Sequence, residues 1–236
     1  MNVPVVVSVS DKYLWALNVY TYLHQKYWGG VDTYVAGYTP PKFKLPHSFH
    51  FMSIAQPQYE KEKWVDGFLK FLYQFEHDYF VLMLEDYWLA RKVDREGIER
   101  LGDFMKETPN ALRMDLTSDR LYAGGMKYLG YYDRFDIIEA PQSQYQMSLQ
   151  AGIWNKRLLI DVLETLPKDL HSAWDVELAG TGIVNTSEMR VFGTAQNPIK
   201  YINGMNNAIS DKINYSGLID EDRHTAEILV SEAKGL

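Results

Sequence analysis

Apolar residues fall along the chain in two patterns: short unbroken runs, and stretches in which they recur at helical spacing. Residues 79–84 form an uninterrupted apolar run, Tyr-Phe-Val-Leu-Met-Leu, which is how a strand covered on both faces of a parallel sheet reads. Residues 3–9 are nearly all apolar and β-branched and make a first strand, and residues 31–37 make a second after Gly29-Gly30. Between them Leu14, Leu17, Val19, Tyr20 and Leu23 recur at helical spacing, so the chain opens as a βαβ unit. A proline-rich loop over 39–46 follows, with a strand over 49–54. Trp64, Phe68, Phe71, Leu72 and Phe75 then predict an amphipathic helix over 60–76.

The same two periods continue downstream. Asp94 is placed to cap a helix running to about residue 106, which Thr108-Pro109-Asn110 ends. Asn155 is placed to cap another, carrying Leu158, Leu159, Val162 and Leu163. Strands are expected over 111–116, 135–140, 189–192 and 199–202. The Gly- and Tyr-rich stretch 117–130 reads as a functional loop or lid, in which Arg120, Tyr122 and Lys127 meet phosphate or acceptor. Strands alternating with helices over 236 residues predict one α/β domain with a mostly parallel sheet.

Composition narrows the chemistry. With no Cys, disulfides, thiolate metal sites and thiol catalysis are all excluded, leaving carboxylates, His and hydroxyls. No window reaches the roughly 18 apolar residues of a membrane span, and no basic region precedes the first apolar run, so the expectation is a soluble cytoplasmic protein. Asn185-Thr186-Ser187 and Asn214-Tyr215-Ser216 match the glycosylation pattern by chance on that reading. A net charge of −7 argues against a broad nucleic-acid surface. Seventeen Tyr and six Trp exceed what a core needs, and the surplus suits a pocket for ring-shaped ligands. His47 and His50 have metal-like spacing, but no third ligand lies near them in sequence. His224, in the acidic stretch 220–232, reads as a surface residue. The sequence is silent on oligomeric state.

Candidate chemistry gathers in four places. Glu85 and Asp86 end the apolar run at the carboxyl side of its strand, where ligands bind in open α/β sheets, and an acidic pair there suits a divalent cation held against a diphosphate. Tyr87 and Trp88 follow as floor or wall for a sugar or base ring. The other reading of the pair is a plain surface turn. At the end of the first strand, Asp11 either caps the helix or contacts a nucleotide base or ribose. Gln150 and Gly152 lie in the approach to the helix that Asn155 caps, where free N–H groups favour an anion; a plain strand-to-helix junction is the alternative. Finally, Trp174 and Glu177 share a helix face, setting a carboxylate beside an indole as a general base facing a sugar acceptor; a solvated helix charge is the alternative for Glu177. Ser172 with Asp175 fits a capping box. Gly180-Thr181-Gly182 lacks the third glycine of a dinucleotide loop.

In chain order, the strand ending in Glu85-Asp86, the stretch Gln150-Ala151-Gly152-Ile153-Trp154 and the segment Trp174-Asp175-Val176-Glu177 resemble the GT-A glycosyltransferases. Glu85-Asp86-Tyr87 stands where that family usually has Asp-x-Asp. The resemblance covers about residues 3–205. It implies a single GT-A-like (Rossmann-like) domain with a mixed, mostly parallel central sheet flanked by helices. Its nucleotide-sugar half would span about 1–90, its acceptor half about 91–205, and a C-terminal tail 206–236. It further implies that Glu85 and Asp86 bind Mn²⁺ or Mg²⁺ and the sugar diphosphate, and that Ser8, Ser10 and Asp11 contact the nucleotide. Glu177 or Asp175 would be the base of an inverting transfer, with Tyr87, Trp88, Gln150, Trp154 and Trp174 at the acceptor. Small stand-alone members of this kind occur in bacteria and bacteriophages. The acceptor is then a saccharide or small molecule ahead of a modified DNA base. Two other classes stay open, a non-enzymatic carbohydrate-binding or assembly module and a sugar nucleotidyltransferase; the latter is weakened by the missing Gly-rich basic loop after the first strand.

Overall fold

A computed structural model describes residues 2–54, 64–122, 124–167, 170, 173–205 and 212–235. The two apolar runs become β1 (Val5–Ser8) and β4 (Tyr79–Leu84), hydrogen-bonded side by side in parallel, with Val5 opposite Val81 and Ser8 opposite Leu84. α1 (Leu14–Trp28) connects β1 to β2 (Thr33–Gly37), and β3 (Phe49–Ser53) extends the sheet beyond it. α2 (Trp64–Gln74) leads into β4; residues 60–63 of the helix expected over 60–76 lie outside the described residues.

The sheet continues past β4 with β9 (Gly152–Asn155), β6 (Ala111–Asp115), β10 (Arg190–Thr194), β8 (Phe135–Glu139) and β7 (Lys127–Tyr132), in the order β3-β2-β1-β4-β9-β6-β10-β8-β7. All strands run in one sense except β8 and β9. The fold is therefore α/β with a mixed, mostly parallel sheet. Helices cover both faces, as strand alternation requires. Val5, Val7, Val81, Met83, Ile153 and Phe192 pack under α1, α3 (Arg95–Glu107) and α6 (Asp220–Lys234). Val6, Phe80, Leu82, Leu112 and Trp154 pack under α2, α4 (Lys156–Thr165) and α5 (Ala173–Asn185). The expected caps form: Asp94 accepts from the Gly97 amide at 3.1 Å and Asn155 from the Leu158 amide at 3.3 Å.

Three expectations change. The stretch 117–130 is not one open loop: after a short 3₁₀ turn at Ser118–Tyr122 it enters β7, an edge strand turned back from β8. Gln150 and Gly152 do not flank a helix N-terminus, because β9, which Gly152 begins, carries the chain away from them to α4; the junction reading is the one the fold adopts, with the Lys156 amide tied to the Asp78 carbonyl at the far end of the sheet. Asp86 is followed at once by a small second sheet, β5 (Tyr87–Leu89) paired antiparallel with β11 (Tyr201–Asn203). The stretch 220–232 is helical in α6, and Gly180-Thr181-Gly182 lies inside α5 and not in a loop.

Candidate active site

Parallel strands deliver their carboxyl ends to one edge, and the chemistry of this chain collects there. In sheet order the edge carries Ser8, Ser10 and Asp11 after β1, Glu85 and Asp86 after β4, Gln150 before the antiparallel β9, and Asp115 at the end of β6. Register fixes the row, since Ser8 stands opposite Leu84 and Gly152 pairs with both Leu82 and Asp115.

Glu85 and Asp86 are both buried, each 7% exposed. The Ser10 amide and hydroxyl reach the Glu85 carboxylate only at 3.4 Å, too long to satisfy it well. Burial, and then the charge of Asp86, push the Glu85 carboxyl up to about 8. Burial likewise pushes Asp86 up to about 6, against its own backbone amide and that of Met205. Two adjacent buried carboxyls, of which Glu85 is the less well satisfied, are a hard-oxygen donor pair that a divalent cation would relieve. Among the described residues no group of three His, Cys, Asp or Glu gathers around a metal position, and His50 lies away from this edge on β3. A cation would thus take its other ligands from phosphate oxygens and water, the usual arrangement for Mg²⁺. Asp11 caps no helix. Its carboxylate accepts from the Thr39 amide at 2.9 Å and the Thr39 hydroxyl at 2.7 Å, pinning the loop after β2 against the end of β1.

Glu177 enters the same edge from α5. Its carboxylate accepts from the Leu149 amide at 2.5 Å, while the Leu149 carbonyl accepts from the Tyr87 hydroxyl at 3.4 Å. The backbone of one residue, Leu149, therefore bridges Glu177 to the residue that follows Asp86, and two elements some ninety positions apart in sequence meet. Burial raises the Glu177 carboxyl, and the Leu149 amide and the Arg113 guanidinium oppose it. Burial, with the negative charges of Asp86 and Glu177 nearby, also lifts the Tyr87 hydroxyl well above its ordinary value.

Beside Glu177 opens a cleft of about 400 Å³, whose walls include Arg113, Asp115, Arg120, Tyr122 and Tyr145. A second, of about 260 Å³, lies between Thr117, Asn197, Lys200 and Tyr201, and Gln150 borders both. Arg113 and Asp115 were not weighed in the sequence. Their signal was there: opposite charges two apart on a strand share a face, and this strand is otherwise apolar.

The aromatic candidates divide. Trp88 and Trp154 are fully buried. Trp88 packs edge-on against Trp15, and Trp154 lies beneath the Arg113 guanidinium, 5.1 Å from its ring centre. Both are core side chains, which corrects the expectation that they line an acceptor pocket. Tyr87 is buried as well, stacked on Tyr201 at 4.4 Å, with only its hydroxyl turned toward the site. Trp174, by contrast, is 62% exposed. Asp175 sits two residues before Glu177 on α5, about 200° around the helix, so it leaves the cleft wall to Glu177. Ser172, the expected capping partner of Asp175, lies outside the described residues. His224 is exposed on α6.

No helix among the described residues is long and apolar enough to cross a membrane. No family model matches the chain. An uncharacterised protein of Saccharomyces cerevisiae is 27% identical over 118 residues, covering 45% of this chain and 9% of that protein. Among solved structures, the chain is similar to UTP-bound UGPase from Acinetobacter baumannii, at TM-score 0.49 and 9% identity over 98% of each chain. It is also similar to UDP-glucose pyrophosphorylase complexed with UDP-glucose, at TM-score 0.47 and 8% identity over 98% of this chain and 99% of that one. The galactosyltransferase LgtC in complex with donor and acceptor sugar analogs gives TM-score 0.44 and 7% identity over 97% and 95% of the two chains.

Proposed function

We propose that the protein transfers a sugar from a nucleoside-diphosphate sugar to an acceptor hydroxyl. The observation that carries this reading is the row along the carboxyl edge: a polar strand end at Ser8 and Ser10, an acidic pair at Glu85-Asp86, then Gln150 and a cleft holding one elevated carboxyl, Glu177. The nucleotide lies over the end of β1, framed by the loop that Asp11 pins. The diphosphate lies at Glu85 and Asp86. A divalent cation held by that pair would neutralise the diphosphate as it departs. Gln150, between the acidic pair and the cleft, faces the sugar.

Glu177 then acts as general base. It removes the acceptor hydroxyl proton while that oxygen bonds to the anomeric carbon and the bond to the diphosphate breaks on the opposite face, so the configuration inverts. Its elevated pKa suits the role, because a base works best when its pKa approaches the operating pH. The Leu149 amide orients the carboxylate without consuming its second oxygen.

The test is a thermal-shift panel of nucleoside diphosphates with and without Mn²⁺ or Mg²⁺. A bound diphosphate at 100 times its dissociation constant stabilises the fold by about 2.7 kcal/mol. No shift with any nucleotide ends the reading. A nucleoside triphosphate binding better than every diphosphate sugar would point to nucleotidyl transfer instead.

A further inference from the structure

We propose that the cleft beside Glu177 seats a compact oxyanion, a carboxylate or phosphate carried by the acceptor. The word acceptor rests on the transferase reading; the anion site itself does not. Two guanidiniums converge on one carboxylate at the floor of this cleft. Arg113 Nη2 lies 2.5 Å from Asp115 Oδ1, and Arg120 Nε lies 2.5 Å from Asp115 Oδ2. Arg113 is fully buried, and Arg120 and Asp115 are each 2% exposed. A single buried carboxylate thus touches two buried guanidiniums, and its two oxygens cannot satisfy all of their donors.

The two arginines differ in what they have left to give. Arg120 spends its remaining donors on Ser143 Oγ at 3.2 Å, Gln146 Oε1 at 2.9 Å and the Tyr145 carbonyl at 3.4 Å. Arg113 gives one bond to the Gln150 carbonyl at 3.0 Å, and its Nε and Nη1 have no partner among the described residues. Glu177 adds a second negative charge through space, so what Arg113 lacks is acceptors for its idle nitrogens. A buried guanidinium with idle donors, on the wall of a cleft large enough for a monosaccharide, fits a ligand that supplies the acceptor oxygens it lacks, and an oxyanion supplies them most strongly. Tyr122 and Tyr145, exposed at the same cleft, offer ring faces to the sugar that carries them.

The experiment titrates the full chain by calorimetry at fixed ionic strength with glucuronate, glucose 6-phosphate and glucose. The expected result is that one charged sugar binds at least roughly tenfold more tightly than glucose, the worth of about one charge-assisted hydrogen bond, and that added KCl erodes the preference. Preference for glucuronate assigns a carboxylate; preference for glucose 6-phosphate assigns a phosphate. Both charged sugars binding within about twofold of glucose overturns the proposal. So does a preference that survives unchanged in Arg113→Lys and Arg120→Lys, which keep the charge and lose the planar fork. If circular dichroism shows that either variant has lost its fold, the wild-type comparison decides alone. Failure here with nucleoside diphosphate still bound removes only the anion site. Charged-sugar binding without any nucleotide binding keeps the site and removes the transferase.

Discussion

Asp222 is fully buried on α6, yet it is an anion, and what holds it is a three-donor cage on α1. Lys26 Nζ donates at 2.7 Å, Tyr22 Oη at 3.0 Å, and Tyr27 Oη closes the set. Asp222→Asn removes the charge and keeps one acceptor oxygen. Breaking a buried ion pair costs about 3–5 kcal/mol, and the low end applies because the Lys26 side chain is 29% exposed and can recover water. At roughly 2–4 °C per kcal/mol for a chain of this size, a loss of about 3 kcal/mol lowers the melting temperature by roughly 6–12 °C. Burial raises the Asp222 carboxyl, but the bonds from Lys26, Tyr27 and Tyr22 outweigh it and leave the folded value below the ordinary one. A depressed folded pKa contributes stability that is complete above the unfolded value of about 3.9 and fades as pH falls through the folded value. Melting curves of wild type and variant should therefore stay apart across neutral pH and converge below about pH 4. A variant that melts within about 2 °C of wild type at pH 7 would refute the cage as a source of stability, and a gap that persists unchanged into strong acid would refute its ionic character.

Glu177→Gln should lower turnover by about 10²- to 10⁴-fold with nucleoside-diphosphate binding near wild type; the same pattern in Asp175→Asn with none in Glu177→Gln would move the base by two residues. Asp86→Asn should weaken diphosphate-sugar binding and turnover together, and a variant intact in both would make the pair a plain turn. Because Glu85 sits at about 8 and Asp86 at about 6, a cation must displace protons from them below those values, so metal-promoted donor binding measured by calorimetry should strengthen as pH rises from 6 to 8; pH-independent binding would contradict cation capture by this pair. Trp154→Ala should act as a core deletion of about 3–5 kcal/mol, read in the melting temperature; a KM effect at unchanged stability would return Trp154 to the acceptor.

How far the sequence carried depended on whether a residue's partners were local. β4 was legible to the residue because an unbroken apolar run needs no partner to be read as an interior strand, and the acidic pair at its end followed from the same run. β7 was not, because it is an edge strand with Tyr128, Leu129 and Tyr131 exposed, and a solvated strand rich in Gly and Tyr looks like a loop. Trp88 was placed at the acceptor on its neighbours Glu85 and Asp86. Its actual surroundings are set by β11, more than a hundred positions later, and by Trp15. The burial of Asp222 was not legible for the same reason: its three donors stand some two hundred positions earlier.

Buried charge is costly wherever it occurs, so the way each buried charge is satisfied separates architecture from chemistry. Asp222 is saturated, with a cation and two hydroxyls closing on it from a single helix, and it needs nothing further. Glu85 and Arg113 are the opposite: one carboxyl whose bonds from Ser10 are 3.4 Å long, one guanidinium with two idle nitrogens. Glu85 stands on the carboxyl edge of the sheet, and the Arg113 guanidinium reaches toward that edge from mid-β6 to the Gln150 carbonyl. A weakly satisfied carboxyl at Glu85 and idle donors at Arg113 would be met by a ligand that brings cationic charge to the first place and acceptor oxygens to the second. A metal-bound diphosphate donor and an acidic acceptor meet both demands, and Glu177 lies beside the second, bridged by Leu149 to the residue after Asp86.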